Sequence, residues 1–516
     1  MKITLALLLI PFFVLACATS VTKLKSSPSP RTPASTWRAD GEPDQTLPKS
    51  KSPLFSSTTP LQFNLNGPFE KAHQANAGGN WSGESRDCDE ELPDAPNKYC
   101  FDATLAEASQ PNHILPAKIR ARGMSSATDS TFPKLRVYIL KKDADNSKIE
   151  LEGTSFDEAR SFRMNTHVST DPKGREFTGM GRLNDERSPF REATAYEIAM
   201  TLGLPTPAIR RARVTYHDWE LNQTFTRNAL LIETNKKIGE RFGAVEDPDF
   251  LEKSSPLNVR LSALFHMFHV LIGNADVGLK IKAESEMATM SYRPLFNTTI
   301  FKLPDGSEFP IVYDLDLAES LRGAMVRDPD SPMPKLFGID DVKLAEVCTR
   351  LARVRARLNP SEYQQALEDV LSREDAIKAT IKNSEVDEEA RLINFQLLDF
   401  FKRSVVELKK FPMLLRNDVP FFKDAGLKDS LLKPMPNDGA VAFLRPGTTV
   451  KVLQEQGEVV KIAVMVINPR DFVDTYQVAG YVRKSDLQLG FDLPKDLQGF
   501  TDDRDFMEAG GGGGGD

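Results

Sequence analysis

Apolar and polar residues alternate along Ala117-Lys118-Ile119-Arg120-Ala121-Arg122-Gly123, the period-two pattern of a strand with one wet face. The chain then crosses a small-residue loop, 124–130, and returns in a second predicted strand at 132–140. Further strands are predicted at 61–65, 162–168, 209–216 and 228–233. Between the second and third of these, Ser188-Pro189 opens a helix to about residue 199, with Ser as cap and Pro in the first turn. Gly203 and Pro205 stop that helix. From Ser262 the texture turns helical, first in the apolar run 264–271 and then strongly over 340–410, including an amphipathic helix at 360–382. The charged run 385–391 reads as a solvated helix face. Past a break at 412–436, short strands are predicted at 449–453, 458–464 and 479–482. Strands, one helix, strands and then helices describe an α+β arrangement.

Composition narrows the classes. At 516 residues the chain has room for two to four domains, and 40% hydrophobic with 27% charged residues is ordinary for a protein with large cores. A net charge of −7 argues against nucleic acid as a partner. Only six histidines occur and HExxH is absent from the sequence, so a zinc hydrolase has little support. At the N-terminus, Lys2 precedes an apolar run at 5–14 of signal-peptide length. It ends in Val14-Leu15-Ala16-Cys17, which resembles a bacterial lipobox. That resemblance implies a signal peptide over 1–16, diacylglycerol on the Cys17 thiol and, with Ala18 next, an outer-membrane destination; a plain secretory signal is the alternative. Residues 17–60, rich in Ser, Thr, Pro and Lys, read as a disordered tether. An exported compartment permits a disulfide between Cys88 and Cys100. Cys348 lies on a predicted helix and reads as a buried thiol.

Two carboxylate motifs stand out: Ile272-Gly273-Asn274-Ala275-Asp276 and Val312-Tyr313-Asp314-Leu315-Asp316, each following a dense apolar run. Carboxylates at the ends of buried elements are costly unless paired, hydrogen-bonded or bound to metal, so Asp276, Asp314 and Asp316 are either chemical groups or caps of a helix and a turn. The loop at 123–131 is read either as a phosphate cradle or as an ordinary surface hairpin. His266 and His269, three apart on an apolar helix, are read as packed histidines more readily than as a metal pair.

Taken in order, Arg122-Gly123 with Phe132-Pro133-Lys134-Leu135-Arg136, Arg163-Met164-Asn165-Thr166-His167, Glu192 with Tyr196, Leu230-Leu231-Ile232-Glu233 and the two carboxylate motifs resemble the spore-coat-protein-H (CotH) family of atypical secreted kinases, in its bacterial lipoprotein branch. The resemblance covers 61–410. It implies a two-lobed protein-kinase-like fold, with a β-rich N-lobe at 61–235 and a helical C-lobe at 236–410. It also implies ATP with Mg²⁺ or Mn²⁺, and phosphate transfer to envelope or secreted proteins. The roles it implies are Gly123, Ser125, Ser126, Lys134 and Glu233 for nucleotide binding, Asp276 as base, Arg163 paired with Glu192, and Asp314, Asp316 and Asn274 for metal. Arg163 stands where the family pattern has lysine, and Asn274-Ala275-Asp276-Val277 runs almost at once into Lys280, without the family's later metal-binding asparagine. These departures motivate the alternative of an inactive pseudokinase scaffold without cofactors. After a linker at 411–436, residues 437–492 resemble a small all-β, bacterial SH3-like barrel, on Gly480-Tyr481-Val482 and Ser485-Asp486-Leu487. Its implied partners are peptidoglycan or envelope proteins. Residues 493–516 read as a flexible tail.

Overall fold

A computed structural model of the chain describes residues 46–77, 88, 99–122, 132–142, 145, 147–167, 176–177, 183–184, 186–247, 257–274, 277–279, 295–316, 318–322, 341–355, 358, 360–411, 413–414, 422–428, 450–467 and 475–488. All of them belong to one unit, Ser35–Asp516. Seven strands carry the N-terminal half: β1 (Leu61–Gly67), β2 (Phe101–Glu107), β3 (Leu115–Arg122), β4 (Lys134–Ile139), β5 (Ser161–Asn165), β6 (Ile209–Asp218) and β7 (Gln223–Ile232). Helix α1 (Phe69–Ala77) follows β1, and α2 (Ser188–Thr201) lies between β5 and β6. The strands close into a barrel in the order β1-β2-β3-β4-β5-β7-β6, with β6 returning to β1. Every neighbouring pair is antiparallel except β1 and β6, which run parallel from Leu61↔Ala212 to Gly67↔Asp218.

That closure overturns the two-lobed kinase-like expectation. The strands expected from the sequence do not include β2 (Phe101–Glu107), which pairs with β1. With β1 bonded to both β2 and β6, the barrel itself has no open edge. The expected C-terminal barrel is corrected as well. Among the described residues, the strands Val450–Gln456, Val459–Ile467 and Thr475–Arg483 form an open three-stranded antiparallel sheet. Leu487–Gln488 pairs with Met413–Leu414 beside it.

Alternation explains the barrel. Phe63, Leu65, Ile119, Leu135, Val137, Phe162, Met164, Val214 and Leu231 point inward and are buried together. An aromatic cluster of Phe69, Phe132, His167, Tyr216 and Phe225 packs at the strand ends, with His167 stacked on Phe132 at 4.9 Å. The outward positions of β4 and β5 instead carry Lys134, Arg163 and Asn165, all buried. Helix α2 begins at Ser188, preceded by Arg187, which makes no side-chain cap bond; Pro189 stands in the first turn as its sequence suggests.

The second layer holds α3 (Asn235–Phe242), α4 (Val259–Leu271), the hairpin of β8 (Thr298–Lys302) and β9 (Glu308–Val312), then α5 (Val342–Arg355), α6 (Pro360–Leu371), α7 (Glu374–Asn383) and α8 (Glu388–Lys409). The single helix expected at 360–382 is two helices, parted at Ser372-Arg373. Helix α4 is buried on nearly every side, so it has no polar stripe. The charged run before α8 does more than face solvent. Asp387 caps α8 by accepting from Ala390 N–H, and its carboxylate accepts from the fully buried Arg191 of α2 at 2.8 Å. This clasp fixes α2, and with it the neighbouring Glu192. Within the stretch read as tether, Leu54 is fully buried and Ser52 donates to the Asp157 carbonyl at 2.8 Å. Among the described residues, no helix is long and apolar enough to cross a membrane.

Candidate functional site

The outer wall of the barrel, the start of α2 and the end of β9 converge on one polar cluster. Lys134, the first residue of β4, projects outward because Leu135 takes the inward position. Its Nζ donates to Asp316 Oδ2 at 2.6 Å and lies 3.5 Å from Asp314 Oδ1. Both carboxylates follow β9, where the chain turns through Asp314 in the left-handed region at φ +52. Among non-glycine residues, Asp and Asn tolerate that conformation best. The side chain of Asp316 is 10% exposed and that of Asp314 32%, so Asp314 is the half of the pair that meets solvent.

Around this pair stand Arg122, Asn165, Glu192, Arg163 and Tyr313. The register of β3 against β4 places Arg122 opposite Lys134. Arg122 donates to Asn165 Oδ1 and, at 3.3 Å, to the Tyr313 hydroxyl. Asn165 in turn donates to Glu192 Oε2 at 2.6 Å. The other Glu192 oxygen and the Tyr196 hydroxyl, one helical turn along α2, are buried with no hydrogen-bond partner among the described residues. Burial, opposed by the Lys134 charge and reinforced by Asp316, raises the Glu192 carboxyl to about 7. Burial alone would also raise the Tyr313 phenol, but the nearby guanidiniums of Arg122 and Arg163 outweigh it and set the phenol below its ordinary value.

The pairing of Arg163 with Glu192 implied by the resemblance is not formed. The Arg163 fork holds the Glu233 carbonyl, with Nε at 3.1 Å, and stacks over the Tyr313 ring at 5.0 Å. Lys134 is the cation beside the carboxylates instead. The Glu233 carboxylate, expected at the nucleotide, is bound to Arg241 at 2.7 Å and accepts from Ala208 N–H. Asn274 is buried beyond the end of α4 against His269, 3.2 Å from its Nδ1. His266 faces the Leu279 carbonyl at 2.9 Å.

The first carboxylate motif meets, through its backbone, the segment that follows the second. Ser320 N–H donates to the Ile272 carbonyl at 3.1 Å, which brings the turn after α4 against the short helix Glu319–Arg322. Gly273 is required there twice, by φ +68 and by Glu319, whose side chain would lie 2.6 Å from an added Cβ. Gly123, Ser125, Ser126, Asp276 and Cys17 lie outside the described residues. Cys88 and Cys100 are joined by a disulfide, and Cys348 is a buried thiol pushed up to about 12 by burial.

Arg122, Asn165, Tyr196 and Tyr313 belong to the cluster although sequence reasoning assigned them no role. One signal was available: Glu192 and Tyr196 stand four apart on a helix, so their side chains share one face. Asp314 and Asp316 offer hard oxygen donors suited to Mg²⁺, which is commonly held by one or two carboxylates with water and phosphate completing its shell. Among the described residues, no group of three His, Cys, Asp or Glu is placed to hold a metal unaided. Neither a protein-family model nor a characterised protein matches the chain, so the family resemblance rests on the motif residues alone.

Proposed function

We propose that the cluster on the barrel wall binds a magnesium–nucleotide and handles its phosphates, as a phosphotransferase of the cell envelope. The observation that carries this reading is the meeting of Lys134, Arg122 and Arg163 with Asp314 and Asp316. Phosphoryl transfer needs fixed cations for phosphate oxygens and oxygen ligands for a divalent ion, and little other protein chemistry. Asp314 and Asp316 would hold Mg²⁺, which supplies neutralisation of charge on the transferring group. Lys134 sets the charge balance of the pair, and Asn165 fixes both Arg122 and Glu192. The Cys88–Cys100 disulfide supports an oxidising compartment, in keeping with export and a lipid anchor on Cys17. Calorimetric titration of the full chain with ATP and Mg²⁺ or Mn²⁺ tests the reading. Saturable binding that weakens at least tenfold in Asp314→Ala is the expected result. Heatless titrations with both metals would sink it.

A second reading is favoured by a different observation. Lys134 already engages both carboxylates, and the carboxylate of Glu233 is engaged by Arg241. A non-catalytic scaffold that binds wall or protein partners would have this same closed arrangement. Its mark would be retained partner capture, on isolated peptidoglycan for example, in Asp314→Ala.

A further inference from the structure

Tyr313 is a member of the cluster that the phosphate reading leaves without a task, and the one that two guanidiniums meet. It is the residue immediately before Asp314, placed where the chain leaves β9 and turns through the left-handed region. It is neither fully buried nor exposed. Its hydroxyl accepts from Arg122 Nη1 at 3.3 Å, and the Arg163 guanidinium lies over its ring at 5.0 Å. Both arginines are held from behind, Arg122 by Asn165 and Arg163 by the Glu233 carbonyl. Two pre-positioned guanidiniums at one phenol form a seat for an anion larger than the phenol itself. Phosphotyrosine carries about −1.5 to −2 charges and three acceptor oxygens, and Arg binds such groups through paired N–H donors. Lys134, which faces Asp314, adds a third cation next door.

We propose that Tyr313 is the phosphoryl acceptor within this chain, and that Arg122 and Arg163 hold the phosphate it receives. The inference rests on the nucleotide reading above. In the step, a bond forms between the Tyr313 oxygen and the terminal phosphorus of a nucleoside triphosphate. The bond from that phosphorus to the bridging oxygen breaks, and nucleoside diphosphate leaves with the electron pair. The phenolic proton passes to solvent. The modification limits itself, because the new phosphate engages the two guanidiniums that the next nucleotide would need. Each chain therefore takes one phosphate.

The test incubates the full chain with Mg²⁺ and γ-labelled ATP, maps the label by mass spectrometry and follows ATP binding separately by calorimetry. Label that saturates at one per chain, lies on Tyr313 and disappears in Tyr313→Phe is the expected result. Phe keeps the ring beneath Arg163, so calorimetric affinity for ATP should change by less than about threefold. Binding with label on another residue, with label persisting in Tyr313→Phe, or with no label at all, overturns this inference and leaves the nucleotide reading standing. Absence of ATP binding overturns both. Mapping on the unaltered chain decides the matter even where Tyr313→Phe folds poorly.

Discussion

Lys134→Met gives the sharpest view of how this cluster is held. Methionine retains most of the apolar stem and deletes the ammonium 2.6 Å from Asp316. Removing one partner of a buried ion pair costs roughly 3–5 kcal/mol, because the other charge stays behind in a poor solvent. Here the cost has a ceiling, since Asp316 escapes it by taking up a proton. Keeping a carboxyl of ordinary pKa about 3.9 protonated at pH 7 costs about 4 kcal/mol, and at pH 5 about 1.5 kcal/mol. The sign follows from linkage. In the variant the folded-state carboxyl titrates above its unfolded value, so the folded state binds more protons and stability falls as pH rises. Urea denaturation of the full chain, with unaltered protein as reference at each pH, should therefore show a loss of about 3–4 kcal/mol at pH 7 and under about 2 kcal/mol at pH 5. The double variant Lys134→Met with Asp316→Asn should recover most of it. A loss below about 1 kcal/mol at pH 7, or equal losses at both pH values, would refute the ion-pair account.

Three further predictions address the surroundings. Gly273→Ala combines left-handed strain of about 1 kcal/mol with overpacking of about 1–3 kcal/mol against Glu319, so denaturation should show a loss of about 2–4 kcal/mol; a loss under about 1 would contradict the close approach. Glu192, raised to about 7 chiefly by burial, costs stability increasingly as pH climbs from its ordinary 4.5 through 7. Glu192→Gln should flatten that dependence and stabilise the protein at pH 8 by on the order of 2–3 kcal/mol, and a destabilised variant there would defeat the prediction. Burial, and then the Arg227 charge, hold the His167 imidazole down to about 3 against an ordinary 6.5. The stability linked to this group is present above pH 6.5 and is lost as pH falls toward 3, by about 3 kcal/mol at pH 4. His167→Phe should keep the aromatic stack and unfold at lower pH than the unaltered protein; an unchanged acid midpoint would be the contrary result.

Much of the local structure was legible in the residues. The alternation of Ala117 to Arg122 placed β3 and its wet face, and Ser188-Pro189 placed the start of α2 within a residue. Lys134, Glu192, Asp314 and Asp316 were singled out from their motifs, and the chain does bring them into one cluster. Barrel closure was not legible, because the parallel pairing of β1 with β6 is a tertiary choice that neither strand's pattern encodes. The expected pairing of Arg163 with Glu192 fails for a related reason. Both Lys134 and Arg163 face outward, and only the register of β4 on β5, with Leu135 opposite Met164, sets Arg163 beside Arg136 and leaves Lys134 at the end nearer the carboxylates. Charge and alternation could not distinguish the two. The double duty of the run before α8, as helix cap and as anchor for Arg191, was hidden because solvated and clasping carboxylates look alike in one dimension.

The parallel seam between β1 and β6 also governs when the barrel can exist. Leu61 meets Ala212 across about 150 intervening residues, whereas the hairpin of β6 and β7 closes within a short turn. Contacts of such long sequence separation form late, after the loop entropy of the intervening chain has been overcome. During synthesis β1 emerges before its partners and pairs with β2 across a short separation, but its second edge waits for β6. Until then β1 and β6 each present an unpaired edge, and a chain released before residue 218 cannot seal itself. The parallel seam is the closing joint of the barrel, and its formation marks the moment when an adhesive intermediate loses its open edges.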